Sequence, residues 1–244
     1  MLLNFLFAGY CEVPRPWLTT AKEGVNRLYY IHSGKGGYTV DGKRHEFREG
    51  MLYLLPSFSG AVTWTDEDCR IVHSYANFEL VPPIISREVL TLDPKENPLT
   101  ESVTNTFLLL SHDAKQRRLT MSYEEKQLLI SSIEYLIRRA VKVCNCAMLD
   151  DETVNRALTV MNRRMSEGIT IEEIAKECFM STDGFIRKFT RVMGVTPYAY
   201  YKNLKLRTAQ ALRASGETLE RAAEICGYSD SSALLHAMKN DKAK

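Results

Sequence analysis

The distribution of apolar and polar positions divides the chain into two textures. From Val25 to Pro56 apolar and polar side chains alternate, and the alternation is broken at Ser33–Gly37, Asp41-Gly42 and Glu49-Gly50. A period of two bounded by Gly, Asp and Ser predicts short strands, and Asp-Gly between two alternating runs predicts a tight hairpin. Further strands are expected at Ala61–Thr65 and Arg70–Glu79, and the apolar start "MLLNFLFAGY" reads as a first strand or arm. Strands at this spacing suggest a small barrel or sandwich. Proline and asparagine cluster from Val81 to Pro98, and the alternation is expected to stop there.

Helical periodicity takes over near Thr100. In "SYEEKQLLISSIEYLIRRAVKV" the residues Leu128, Leu129, Ile133, Leu136, Ile137 and Val141 fall on one broad face, and Ser122 with Glu125 has capping-box spacing. Such a helix either dimerises or packs on its own barrel. After a break at Asn145–Asp151 everything reads as helix, at about 152–166, 171–178, 182–192, 198–214, 219–226 and 231–239. With strands first and helices second, the expected fold class is α+β and multidomain. Its parts are a β domain at 1–98, a helical dimerisation or linker region at 99–148 and an all-α domain at 149–244.

The helical part contains a repeat. "TIEEIAKEC" at 170–178 returns as "TLERAAEIC" at 218–226, and the apolar positions of the following helices correspond once one residue is added to the second turn. A threonine precedes each first helix in capping position. Ala175 and Ala223 stand where the first helix of a pair must pass close to the second. Between the copies lies one helix, launched by Thr196-Pro197 and expected to end at Ser215-Gly216. Two helix pairs with short turns, joined by one helix, are two helix-turn-helix units that direct two second helices to one face.

Composition narrows the classes. No apolar run in the 244 residues approaches the length that spans a bilayer, and the N-terminal stretch lacks the basic flank and cleavage site of a signal peptide. A cytoplasmic chain with reduced thiols is expected, its six cysteines being scattered. Net charge is only +2, but residues 181–213 carry seven basic side chains against Asp183. That surplus suits phosphate contact or a solvated face. His32, His45 and His73 lack His-x-His spacing, so no metal or other cofactor is expected, and no catalytic triad is readable.

Residues 152–239 resemble the DNA-binding domain of the AraC/XylS family of transcription regulators. The resemblance is carried by "ITIEEIA", Ser181 with "FIRKF" at 185–189, "MGVTPYAYYKNLKLRTAQAL" and "TLERAAEICGYSDSS". The segment "YYIHSGKGGYTVDGKRHEFREGMLYLLP" resembles that family's cupin-like effector domain. The resemblance implies a dimeric regulator with double-stranded DNA, RNA polymerase and a small polar effector, a sugar in some members, as partners. By position and by resemblance the first recognition helix would present Thr182, Asp183, Ile186 and Arg187. Arg187 is suited to bidentate contact with guanine, and its alternative is an intradomain salt bridge.

Lys188, Arg191 and Lys205 are phosphate-contact candidates, with a solvated face as the alternative. Ser231, Ser232, Leu235 and His236 would belong to the second recognition helix, expected to contribute mostly position. There His236 replaces the usual arginine, and the family's closing Gly-x-x-Pro segment and last helix do not follow before Lys244. For the effector, strand matching to the sugar-responsive members implies His73, Tyr75 and Trp64, then Arg27, Tyr29 and Tyr38, with ordinary barrel packing as the alternative for each. The competing reading is a cupin-fold enzyme or ligand-binding module with a helical protein-interaction tail.

Overall fold

The computed structural model describes residues 1–13, 25–57, 59–66, 69–116, 121–214 and 217–242. It contains two compact units, one from Leu3 to Met148 and one from Leu149 onward that also takes in the first two residues.

In the first unit β1 (Leu2–Val13), β7 (Ile71–Val81), β2 (Asn26–Gly34), β5 (Leu52–Leu55) and β8 (Leu90–Leu92) form a five-stranded sheet in the order β1-β7-β2-β5-β8. A second sheet has the order β4-β3-β6, from β3 (Gly36–Val40), β4 (Lys43–Glu46) and β6 (Val62–Thr65). Antiparallel pairing across β2, β5 and β7 puts Tyr29, Tyr53 and Tyr75 on one face and Leu28, Leu54 and Ala76 on the other. The first face meets the small sheet, where Tyr29, Ile31, Tyr53, Leu55 and Ile71 pack against Tyr38 and Val40. The Asp41-Gly42 hairpin joins β3 to β4 with both φ angles positive, as a primed turn requires.

The other face of the large sheet is covered by α1 (Pro98–Gln116) and α2 (Tyr123–Val143). Ser122 and Glu125 close the capping box that the spacing predicts. Leu129, Ile133, Leu136 and Ile137 are fully buried, whereas Leu128 is 52% exposed and lies outside the core stripe. So α2 packs on its own barrel through the 129–133–136–140 stripe. β8 falls inside the Pro- and Asn-rich stretch where no strand was expected. Leu-Thr-Leu is too short to show a period, and its pairing with β5 creates it.

The second unit is all helical: α3 (Glu152–Arg163), α4 (Ile171–Glu177), α5 (Thr182–Met193), α6 (Pro197–Ala214), α7 (Leu219–Ile225) and α8 (Ser231–Lys242). The expected stop of α6 at Ser215-Gly216 lies outside the described residues. Each helix start is held by a side-chain oxygen. Thr170 accepts from the Glu173 amide and Thr218 from the Arg221 amide, and Ser181 and Asp230 do the same for α5 and α8. Phe185, Phe189 and Tyr200 form a chain of ring contacts, with centroids 5.6 and 5.7 Å apart, that seats α5 on α6.

The two turns are related but unequal. Phe179 and Gly227 occupy corresponding places with φ of 56° and 61°. At Gly227 an added Cβ would fall 2.2 Å from the Met165 carbonyl oxygen, so glycine is required both by conformation and by close approach. Gly227→Ala is therefore expected to cost the second unit about 1–3 kcal/mol. Chemical denaturation followed by far-UV circular dichroism measures it.

Candidate nucleic-acid interface and effector face

On α5 the buried residues Phe185, Phe189 and Met193 define the inner face. Opposite them Asp183, Arg187 and Arg191 form an exposed i, i+4, i+8 ridge, with Thr182 and Ile186 half-buried at its flank. Among the described residues neither Arg187 nor Arg191 has an ion-pair or hydrogen-bond partner. The intradomain salt bridge that competed for Arg187 is absent there, and Asp183 does not orient it. The ridge is open at the N-terminal half of a capped helix, the geometry with which such helices enter a major groove.

Two phosphate-contact candidates are corrected. Lys188 turns inward, its ammonium 3.3 Å from the Asp151 carboxylate and 2.9 Å from the Thr153 hydroxyl, and it ties α5 to the start of α3. Lys205 is half-buried, and its Nζ donates to the Gly227 carbonyl at 2.6 Å from above the Tyr228 ring. Burial lowers its pKa below the ordinary lysine value. Sequence counts basic residues but not their partners, so the surplus at 181–213 reaches solvent chiefly through Arg187, Arg191, Lys202 and Arg213.

On α8, Leu234 is the buried anchor, and Ser232, Leu235 and His236 are exposed, with Ser231 half-buried. Lys239 extends that stripe by one turn and was missed, although its spacing of seven from Ser232 was readable. Phe179, in the first turn, is 84% exposed in left-handed backbone, with the Arg156 guanidinium 4.9 Å from its ring centroid.

In the barrel Arg27, Tyr29, His73 and Tyr75 share the inner face of the large sheet, and Tyr38 faces them from the small sheet. Trp64 does not join them. Its neighbour Thr63 is the buried, inward residue paired with Tyr38, so alternation turns Trp64 outward. There it covers Gly37 and lies under the Arg44 guanidinium, 3.6 Å from its ring centroid. Tyr38 also stacks on exposed His45 at 4.9 Å.

His73 is 3% exposed, with Tyr29 at 5.0 Å and Tyr75 at 5.6 Å between ring centroids. Burial, aided by His32, lowers its pKa to about 4. The Cys11 sulfur is 3.8 and 3.9 Å from its two ring nitrogens. A neutral imidazole nearly equidistant through both nitrogens is packed against sulfur rather than aligned to take its proton. Burial likewise raises the Tyr29 pKa. Among the described residues no three His, Cys, Asp or Glu side chains gather as a metal set.

With this geometry, the comparisons with known proteins agree. A family profile described as a helix-turn-helix domain matches residues 174–241. The HTH-type transcriptional regulator AlkR of Acinetobacter baylyi is 32% identical over 94 residues, which are 38% of this chain and 30% of that protein. The uncharacterised HTH-type regulator YbfI of Bacillus subtilis is 24% identical over 152 residues, 62% of this chain and 52% of its own. The chain thus spans about a third to a half of these curated relatives. ToxT of Vibrio cholerae, solved with (E)-4-(8-methylnaphthalen-1-yl)but-3-enoic acid, shares the fold with a TM-score of 0.60 at 12% identity, over 97% of this chain and 94% of that one. Residues 174–241 thus form a helix-turn-helix domain similar to the one these regulators carry, and the N-terminal barrel with its C-terminal helical unit is similar in fold to ToxT.

The buried neutral His73 links barrel stability to pH. Its folded pKa lies below the unfolded value near 6.5, so the unfolded chain binds the extra proton between them. The contribution is fully present above pH 6.5 and is lost as pH falls toward about 4, at a cost on the order of 2–3 kcal/mol. Denaturant midpoints between pH 7 and 4.5 are expected to fall more steeply for the wild type than for His73→Gln.

Proposed function

We propose that this protein is a sequence-specific DNA-binding transcription regulator whose barrel binds a small-molecule effector. The observation that carries the DNA half is the exposed Asp183–Arg187–Arg191 ridge on a capped second helix, whose two guanidiniums have no intramolecular partner among the described residues. A guanidinium left free at that place suits bidentate contact with guanine, and Arg191, one turn on, suits phosphate. Thr182 and Ile186 flank the contact, and Ser231, Ser232, Leu235, His236 and Lys239 of α8 form the second, weaker one.

The effector half is supported by the inner face that Arg27, Tyr29, Tyr38, His73 and Tyr75 share. It is also supported by the likeness in fold to ToxT, which has been solved bound to an unsaturated fatty acid. A sugar effector rests on the resemblance to sugar-responsive family members alone. In this reading the chain works as a cytoplasmic homodimer, and the effector alters DNA occupancy or polymerase contact by preferring one arrangement of the regulator.

Binding of the purified chain to its own upstream DNA, measured at two salt concentrations against competitor DNA, tests the proposal. Wild type is expected to select one segment, and Arg187→Ala to lose about 1–3 kcal/mol with relaxed sequence preference. Arg191→Ala should weaken binding to all sequences and lower the salt slope by about one. Lys188→Ala should leave the salt slope unchanged and lower thermal stability instead. Sequence-blind binding by the wild type would reject the reading.

A further inference from the structure

One end of the barrel interior carries a buried amide oxygen that the fold leaves unsatisfied, with a guanidinium beside it that has no anion at ion-pair distance among the described residues. Arg27 is 7% exposed and lies on the inner face of β2, two residues before Tyr29. Among the described residues it has neither an ion pair nor a hydrogen bond. Its partner across the β2–β7 ladder is Asn77, whose Oδ1 is buried without a hydrogen bond. Directly opposed side chains on neighbouring strands lie about 5 Å apart at Cβ, so the two groups serve one small volume.

The preceding residue shows that the fold can satisfy buried polar groups here. Asn26, on the other face, donates to the Phe78 carbonyl at 3.3 Å and accepts from the Ser57 amide at 3.1 Å. A buried guanidinium without an anion is costly, and buried arginines are ordinarily paired.

The inner face at this end is only partly covered at two places, while the next residue on that face of β7, Glu79, is buried and its carboxylate accepts from the Asn4 amide at 3.1 Å. Along β7, Tyr75 and Asn77 on the inner face are only half-buried, whereas Ala76 and Phe78 on the helix-covered face are fully buried. The wall beside Arg27 is apolar or aromatic: Tyr29 along the strand, Leu55 across it and Tyr75 on the diagonal.

We infer that the Arg27–Asn77 end of the barrel is a carboxylate-binding site, so that the effector is an organic acid with an apolar body rather than a neutral sugar. This rests on the reading of the barrel as an effector domain. The carboxylate accepts from the Arg27 guanidinium in the two-pronged geometry that planar donor and planar acceptor share. A hydroxyl or amine near the carboxylate donates to Asn77 Oδ1. The hydrocarbon lies along Tyr29, Leu55 and Tyr75.

The test is calorimetric titration of the full chain with octanoate and 3-phenylpropionate, beside the corresponding uncharged primary amides. At least one carboxylate is expected to bind tenfold or more tightly than its amide, and Arg27→Gln is expected to erase that difference while the far-UV spectrum is unchanged. A second variant separates a ligand anchor from a structural arginine. Arg27→Met relieves an unpaired buried charge, so without ligand it should raise the melting temperature by roughly 5 °C, where loss of a structural contact would lower it.

Equal binding of acid and amide, no binding of either acid by the wild type, or an unchanged preference in Arg27→Gln would overturn the inference. DNA binding by the same samples without ligand is scored separately. Its failure would remove the regulator reading and leave the acid-against-amide comparison intact.

Discussion

The surface that the helical unit offers depends on a lysine that does not reach it. Lys205, in the middle of α6, donates to the carbonyl of Gly227 in the second turn, and Gly227 is itself pressed against the carbonyl of Met165. An ammonium in a half-buried position loses hydration, and it recovers part of that loss through this hydrogen bond and the faces of Tyr228 and Tyr201. Three segments distant in sequence are thereby fixed at one point. The second helix pair can take only the attitude toward α6 that this point allows. The first pair is fixed to the same helix by different means, the ring contacts of Phe185, Phe189 and Tyr200. One junction is polar and the other aromatic, and α6 is the rod common to both.

The two halves of the duplication have accordingly diverged. The first turn, where no carbonyl presses on the backbone, carries Phe179 in left-handed conformation and holds it in solvent. The second turn has room only for glycine. The first second-helix has a cationic ridge, and the corresponding stretch of the other is Ser232, Leu235 and His236. A duplicated scaffold here carries one second helix with an exposed pair of arginines and one whose exposed side chains are milder.

Much of this was legible from periodicity. Helix starts were readable at Ser122, Thr170 and Thr218 because capping is local, within three residues of the helix it starts. The hairpin at Asp41-Gly42 was readable for the same reason. What was not legible depends on partners far along the chain. β8 exists because β5 offers it an edge. Leu128 has the right residue type and the wrong angular position by one residue. Lys188 and Lys205 look like any other surface cations until Asp151 and Gly227 are placed beside them. Trp64 was assigned inward by matching, and one step of alternation, fixed by Thr63 against Tyr38, turned it out. Arg27 was named as a secondary candidate, but its significance lies in a lack of partners, which only coordinates can display.

The central strands β2 and β5 have no solvent side along most of their length. Tyr29 faces the barrel interior and its neighbour Leu28 faces the helices, and Tyr53 and Leu54 repeat the arrangement. Close-packed interiors resist compression, so a bulky group arriving on one side is felt on the other through a single peptide unit. The sheet is then less a wall than a drumhead, one peptide layer thick between the side chains inside and the helices outside.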